Sequence, residues 1–274
     1  MLVTLNDILK EKNTVAAFNV YGYEDSAAVI RGAEELNTPV ILMTNKDAVD
    51  FIPIEIIGAM LVQMAQASSV PVCVHLDHSR SLEDIQRAIA AGYTSVMFDG
   101  SQLPVEENMK ISAEVVRIAH ASGVSVEAEI GSVGYSDPTI KAKSIYTDPE
   151  EAVEFVKQTG VDALAVAVGT VHRMEIQEAR LDFDLLGEIR KKVSLPLVIH
   201  GSSGVKDEDI VRLCEAGVNK INFGTSLRMA FGNTLRETIA AQPHQFDRLK
   251  LFIPSMDAVS ERAKDKLRLT GIQG

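Results

Sequence analysis

The chain has 274 residues, of which 46% are hydrophobic and 24% charged, and its formal net charge is −11. This composition is typical of a globular protein, and the negative charge argues against nucleic-acid or anionic membrane partners. No apolar run reaches the ~20 residues of a membrane span, and the N-terminus lacks a signal-peptide pattern. Two cysteines are too few for a disulfide framework, so we expect a cytoplasmic protein.

Apolar strand-like runs alternate with helical patterns along the whole chain. The predicted strands are Val15–Val20, Thr38–Thr44, Val70–Asp77, Tyr93–Phe98, Val124–Ile130, Val161–Val168, Leu195–His200 and Val218–Phe223. The predicted helices are Glu24–Leu36, Ile54–Ala67, Leu82–Ala91, Val105–Ala121, Asp148–Thr159, Asp184–Lys192, Lys206–Ala216, Ser226–Ala240 and Met256–Leu269.

Repeated strand–helix units with nearly continuous apolar strands indicate a parallel sheet of the α/β class. Eight units in a chain of this length favour a closed (β/α)8 TIM barrel, which needs about 250 residues. An open doubly wound sheet is the alternative, but it requires a glycine-rich nucleotide turn after the first strand. Residues 19–23 offer a single glycine there. No linker interrupts the pattern, so residues 1–274 are predicted to form one barrel domain with a C-terminal helix.

Polar side chains terminate seven of the eight predicted strands. In a barrel the C-terminal strand ends converge on one face, where such folds carry their active sites. Scattered surface polarity would supply lysine, glutamate and serine rather than three histidines and several carboxylates. The polar residues at these ends include Asn19, Asp77, His78, Asp99, Glu129, His172, His200 and Asn222.

Three of these residues predict a metal site. His78, His172 and His200 follow the third, sixth and seventh strands, and three imidazoles with an open position suit a catalytic Zn²⁺. Co²⁺ or another transition ion would fit the same ligands. Glu129 and Asp99 are expected either to form a second, weaker cation site or to hydrogen-bond the ligand histidines.

The third strand carries two further groups of interest. Strand alternation places Asp77 on the opposite side of the pleat from His78, where it could pair with the ligand histidines or act as acid and base. His75 has the same parity as Asp77 but lies one layer deeper, so we expect a buried structural histidine.

Glycine- and serine-rich turns follow the last two strands. Gly201-Ser202-Ser203-Gly204 follows the seventh, and Gly224-Thr225-Ser226 leads into a helix after the eighth. Barrels commonly bind phosphate at these two loops with backbone N–H groups and a helix N-terminus. A metal, a phosphate pocket and a free carboxylate favour carbon–carbon cleavage of a sugar phosphate. Phosphosugar isomerisation or epimerisation and metal-assisted hydrolysis remain alternatives, as does a non-catalytic binding role.

The motifs as a set resemble the metal-dependent class II fructose-bisphosphate and tagatose-bisphosphate aldolases over nearly the whole chain. They are Ala17-Phe18-Asn19, His75-Leu76-Asp77-His78, Phe98-Asp99-Gly100-Ser101, Val126-Glu127-Ala128-Glu129-Ile130-Gly131, Ala165-Val166-Ala167-Val168-Gly169-Thr170-Val171-His172, His200-Gly201-Ser202-Ser203-Gly204 and Lys220-Ile221-Asn222-Phe223-Gly224-Thr225.

The resemblance implies a role for each matching residue. The three histidines would bind the catalytic zinc, Asp77 would carry the proton of the C4 hydroxyl, and Glu129 and Asp99 would lie at an alternative or second metal position. It also implies a monovalent cation near the phosphate and a homodimer or homotetramer. The predicted substrate- and phosphate-binding residues are Asn19, Gly169, Arg173, Gly201, Ser202, Ser203, Asn222, Gly224 and Thr225.

The chain departs from the family pattern mainly around the aldehyde half of the substrate. Arg173 stands where the family usually has glycine, and Gly224 where fructose-bisphosphate members often have aspartate. Thr44 replaces a serine, the lid-like stretch after the fifth strand carries Lys141 and Lys143, and Asp247-Arg248 only approximates a C-terminal Asp-Pro-Arg. We therefore expect the dihydroxyacetone-phosphate half to be kept and the aldehyde half to be altered, so that the aldehyde need not be glyceraldehyde 3-phosphate.

Overall fold

A computed structural model describes residues 1–10, 14–136 and 144–271. Its eight main strands form one closed parallel barrel, as the sequence predicts, in the spatial order β1-β2-β3-β4-β5-β7-β9-β10. These strands are β1 Val15–Asn19, β2 Val40–Thr44, β3 Val72–Ser79, β4 Ser95–Phe98, β5 Ser125–Ile130, β7 Ala163–Val166, β9 Leu197–Ile199 and β10 Val218–Phe223. Two shorter strands, β6 Gly134–Tyr135 and β8 Val171–His172, pair with each other beside the barrel mouth.

Helices cover the outside of the barrel. They are α1 Leu5–Ile8, α2 Tyr23–Glu35, α3 Lys46–Phe51, α4 Ile54–Ala67, α5 Leu82–Ala90, α6 Val105–His120, α7 Pro149–Thr159, α8 Phe183–Lys192, α9 Asp207–Glu215, α10 Thr225–Ala241 and α11 Arg248–Thr270. None of the helices in these described ranges is both long and apolar enough to cross a membrane.

The last helix is longer than the sequence predicts. It begins at Arg248 instead of Met256, and the carboxylate of Asp247 accepts the N–H of Leu249 at its start. Proline disfavours a helix interior because it lacks an N–H group, which is why the pattern before Met256 did not indicate helix. Here Pro254 is nevertheless accommodated within the helix.

Strand alternation divides each strand between the barrel interior and the helix layer. The N-terminal half of the interior is apolar and is closed by α1, and it includes Ile41, Met43, Cys73, Ala165 and Val198. Above this layer the inward positions become polar. The barrel therefore supplies a packed floor beneath a polar mouth.

Candidate active site and metal centre

The mouth of the barrel contains a cavity of about 300 Å³ at the C-terminal ends of the strands. Most of the residues predicted for the site line it: Asn19, Asp77, His78, Asp99, His172, Arg173, Gly201, Ser202, Ser203, Asn222, Gly224 and Thr225. Glu129 and His200 are buried and contact His78 from beneath. The strand ends thus bring the predicted groups to one place.

The three predicted ligand histidines converge. His78, His172 and His200 each offer a ring nitrogen, and these nitrogens lie within 4.8 Å of one another. The ring centroid of His78 is 5.0 Å from that of His172 and 4.5 Å from that of His200. The ring of Tyr135 stacks beside His172 at 4.8 Å, so the β6–β8 pair helps to hold this imidazole in place.

The end of β3 does not follow regular alternation. His78 has a φ of +52°, in the left-handed region that non-glycine residues rarely adopt, and the pairing with β4 shifts register between Leu76 and Ser79. Consequently Asp77 and His78 both reach the cavity, and the expectation that they lie on opposite sides of the pleat is wrong. His75 lies deeper and is fully buried, with Nδ1 2.8 Å from the hydroxyl of Ser95.

Two carboxylates flank the histidines. An oxygen of Asp99 lies 3.2 Å from Nδ1 of His78, and the same carboxylate accepts hydrogen bonds from Arg80 and Ser101. Burial by itself would raise the pKa of Asp99, but the hydrogen bond with His78 and the other contacts outweigh it and hold the pKa far below its usual value. Glu129 extends Oε2 to 3.2 Å from Nδ1 of His200. His78, Asp99 and Glu129 also form a second set of donor atoms within 4.8 Å of one another.

The donor atoms at this centre fit a metal ion. Nε2 of His78 is buried without a hydrogen-bond partner, and Nδ1 of His200 and Oε2 of Glu129 are buried with no partner beyond the 3.2 Å contact between them. Leaving such groups unsatisfied costs about 1–3 kcal/mol each, so a ligand is the natural occupant of the space between them. Burial and the neighbouring His78 hold the pKa of His172 well below its usual value, which favours the neutral form that a metal ligand needs. In the metal-free protein the neighbouring carboxylates instead raise the pKa values of His78 and His200.

Glu127 supports the centre from below. Its Oε1 lies 2.8 Å from Nε2 of His200, and both side chains are buried. Burial by itself lowers the pKa of His200, but the bonds to Glu127 and Glu129 outweigh it and raise the pKa to about 10. A carboxylate behind a ligand histidine is the arrangement that fixes ring orientation in metal sites.

Asp77 is held between two amide side chains. Its carboxylate oxygens accept hydrogen bonds from Asn19 at 3.1 Å and from Asn222 at 3.4 Å. Burial alone would raise the pKa of Asp77, but the positive charges of His78 and His200 outweigh it and lower the pKa. The side chain is 2% exposed, so an ionised carboxylate faces the cavity with little bulk water around it.

The loops after β9 and β10 meet at the other side of the cavity. The hydroxyl oxygen of Ser203 accepts the N–H groups of Ser226 at 3.2 Å and Gly224 at 3.4 Å, at the N-terminus of α10. A Cβ on Gly201 would lie 2.9 Å from the backbone of Val171, so glycine permits the loop after β9 to approach β8. Backbone donors at the start of a long helix are suited to an anion.

Several sequence expectations do not fall at the site. Gly169 does not line the cavity. A Cβ there would lie 2.2 Å from the carbonyl oxygen of Arg180, so glycine is needed at this position for close packing. Thr44 points outward and hydrogen-bonds the hydroxyl of Tyr93 at 2.8 Å. Arg248 pairs with Glu24. Lys141 and Lys143 lie outside the described residues.

Other residues at the cavity are missed by sequence reasoning. The cavity is also lined by Arg80, Gln102, Tyr135 and Arg228, by Tyr21, and by the segment from Asn45 to Asp47. These residues come from helix starts, loops and the short strand β6 rather than from the ends of the barrel strands. The aromatic Tyr135 within a glycine-rich loop is a signal that could have been used.

Comparison with known proteins agrees with this geometry. The family model "Fructose-bisphosphate aldolase class-II" matches residues 1–274. A curated fructose-bisphosphate aldolase from Geobacillus stearothermophilus is 40% identical over 276 residues, covering 98% of this chain and 96% of the relative.

Two solved structures are also similar. The YdjI aldolase of Escherichia coli K12 has a TM-score of 0.87 and 37% identity, over 100% of this chain and 99% of that one. A fructose-bisphosphate aldolase from Campylobacter jejuni has a TM-score of 0.84 at 23% identity, over 98% of this chain and 95% of that one, and shows the shared fold. The TIM barrel and the resemblance seen in the sequence are confirmed: the chain belongs to the class II fructose-bisphosphate aldolase family and is an aldolase, a carbon–carbon lyase.

Proposed function

We propose that this enzyme is a zinc-dependent aldolase that reversibly cleaves a ketose phosphate or bisphosphate to dihydroxyacetone phosphate and an aldehyde. The observation that carries the proposal is the convergence of Asp77 with His78, His172 and His200 in one cavity, beside unpartnered donor atoms. A zinc ion held by the three imidazoles would act as a Lewis acid on the substrate carbonyl.

Asp77 is the group that moves the proton in this proposal. Its carboxylate takes the proton of the C4 hydroxyl as the bond between C3 and C4 breaks, and the electron pair of that bond stays on C3. C4 leaves as the aldehyde carbonyl carbon, and C3 then takes up a proton, which balances the proton taken by Asp77 and completes dihydroxyacetone phosphate. The reverse sequence is condensation. Asn19 and Asn222 orient the carboxylate by donating to both of its oxygens.

The phosphate of the dihydroxyacetone half is proposed to bind at the N-terminus of α10. There Ser203, Gly224 and Ser226 already bring a hydroxyl and two backbone N–H groups together. Glu129 and Asp99 are proposed to offer an alternative metal position with His78. A monovalent cation near the phosphate remains a prediction.

We also propose a cytoplasmic homodimer or homotetramer. The two cysteines, Cys73 and Cys214, are buried thiols that form no disulfide with each other, which fits a reducing compartment. Light scattering of the purified protein measures the oligomer size.

The experiment that tests the proposed function offers dihydroxyacetone phosphate and a panel of aldehydes to the zinc-loaded protein and scores condensation. Chelation should abolish condensation and added Zn²⁺ should restore it. Interconversion of a phosphosugar without carbon–carbon bond formation, or release of phosphate, would point instead to an isomerase, an epimerase or a hydrolase on the same site.

A further inference from the structure

An ion pair crosses the mouth of the barrel. Nη2 of Arg173, which follows β8, lies 3.2 Å from Oδ2 of Asp47 in the first turn of α3. These two residues follow β7 and β2, and three strands separate β7 from β2 in either direction around the barrel. The contact therefore spans the entrance to the cavity that holds Asp77 and His78.

A second arginine meets the same carboxylate. Nη1 of Arg228, in the first turn of α10, lies 3.6 Å from Oδ2 of Asp47, and its guanidinium lies 4.9 Å from the ring centre of Tyr21. Two guanidinium groups thus share one carboxylate oxygen, and the group of three residues carries a net positive charge. All three side chains are between two-fifths and one-half exposed. Ion pairs that are this exposed contribute little to stability, so one anion can readily replace another.

The backbone at Arg173 is an independent sign that this side chain has a task. Its φ is +61°, in the left-handed region where glycine is favoured and an L side chain is strained. The residue directly follows His172, and its side chain lines the cavity. The strained backbone therefore positions a guanidinium, a planar group that can bind an anion through two hydrogen bonds, beside the metal centre.

We propose that Arg173 and Arg228 select an aldehyde that carries an anionic group, a carboxylate or a phosphate monoester, at the end remote from the reacting carbon. Asp47 holds the two guanidinium groups until the anion of the substrate takes its place. This inference rests on the proposed aldolase function. It assigns the recognition of the aldehyde half to residues on the loops after β8, β10 and β2, and it makes Asp47 an internal competitor of the substrate.

The test measures kcat/KM for condensation by the zinc-loaded protein with three aldehydes of equal chain length, ending in a hydroxyl, a carboxylate or a phosphate. The wild type should prefer an anionic aldehyde, and Arg173→Gln and Arg228→Gln should each lower kcat/KM for that aldehyde by about ten-fold or more, the loss expected for one charge-assisted hydrogen bond. Activity with the hydroxyl-ended aldehyde should fall much less, so that the preference for the anionic aldehyde is lost. Asp47→Asn should raise kcat/KM for the anionic aldehyde, because it removes the competing carboxylate. Comparison of the carboxylate and phosphate arms identifies the anion.

Arg87→Gln is the matched control, because Arg87 is an arginine as exposed as Arg173 that pairs with Glu55 and does not line the cavity. It should leave the preference intact. Equal rates of the wild type with all three aldehydes would overturn the proposal, and so would arginine variants that raise KM for dihydroxyacetone phosphate equally with every aldehyde. That last result would show that the two arginines bind the phosphate of dihydroxyacetone phosphate instead of the aldehyde. Failure of every aldehyde to condense would instead overturn the proposed function, and this inference with it.

Discussion

The ammonium group of Lys220 lies 2.8 Å from Oε2 of Glu127, and both side chains are fully buried inside the barrel. The other oxygen of Glu127 lies 2.8 Å from Nε2 of His200. Because an ionised carboxylate can only accept, Nε2 of His200 must carry the proton and donate it. Nδ1 of His200 then faces the metal centre, 3.2 Å from Oε2 of Glu129. Glu127 therefore sets which nitrogen of His200 is presented, and Lys220 keeps Glu127 ionised.

Replacing Glu127 should weaken metal binding. In Glu127→Gln the side chain no longer enforces donation from Nε2 of His200, and Lys220 loses its counter-charge. We expect the zinc dissociation constant, measured by chelator competition, to rise by about 10–100-fold, as for other partners of ligand histidines. Lys220→Met keeps the carboxylate behind His200 and should raise the zinc dissociation constant less. Equal losses in the two variants would show that the carboxylate does not orient the ligand.

The same ion pair predicts how stability depends on pH. Burial by itself would raise the pKa of Glu127, but Lys220 and His200 outweigh it, so the folded-state pKa lies well below the ordinary value of 4.5. A lowered carboxyl pKa stabilises the folded state at pH values above 4.5, and this contribution is lost as the pH falls below 4.5 towards the folded-state pKa.

Urea unfolding of the metal-free protein measures this contribution. The free energy of unfolding should fall as the pH drops from about 5 to about 3. It should fall less steeply in the double variant Glu127→Gln with Lys220→Met, which removes both charges and leaves no buried ion alone. Asp77 and Asp99 keep lowered pKa values in the double variant and contribute to the slope that remains, together with the other groups whose pKa values are lowered. Parallel curves for the two proteins would contradict the assignment.

Thr44 should matter for stability and not for catalysis. Its hydroxyl hydrogen-bonds the hydroxyl of Tyr93 in the buried layer between barrel and helices. Thr44→Val leaves that phenol unpaired and should cost about 1–3 kcal/mol of unfolding free energy, with kcat/KM unchanged. Thr44→Ser retains a hydroxyl and should recover most of the loss. A drop in kcat/KM in Thr44→Val at unchanged stability would show that Thr44 has a role in the active site.

The sequence predicts the barrel and most of the cavity because both depend on local patterns. Apolar runs mark the strands, and the residues that end them, such as Asp77 and His200, necessarily meet at one face of a closed parallel sheet. Strand alternation also places Glu127 and Lys220 inside, although the sequence alone does not indicate that they pair.

What the sequence does not predict depends on local distortion or on distant contacts. The left-handed backbone of His78 brings two consecutive side chains to the cavity, against the alternation of a regular strand. The contact of Arg173 with Asp47 joins segments that are 126 residues apart in the chain, and no short sequence motif predicts such a contact. Strand alternation does predict that Thr44 points outward, because Ile41 and Met43 on the same strand occupy the inward positions.

The measurement that tests the central claim most directly compares Asp77→Asn with the wild type for both cleavage activity and zinc content. The amide matches the carboxylate in size but cannot take the C4 hydroxyl proton, and none of the three predicted zinc ligands is changed. We expect carbon–carbon cleavage to fall by at least about 100-fold, the usual contribution of a positioned acid–base group, while the purified variant still binds one zinc per chain. Cleavage at the wild-type rate by zinc-loaded Asp77→Asn would contradict the account.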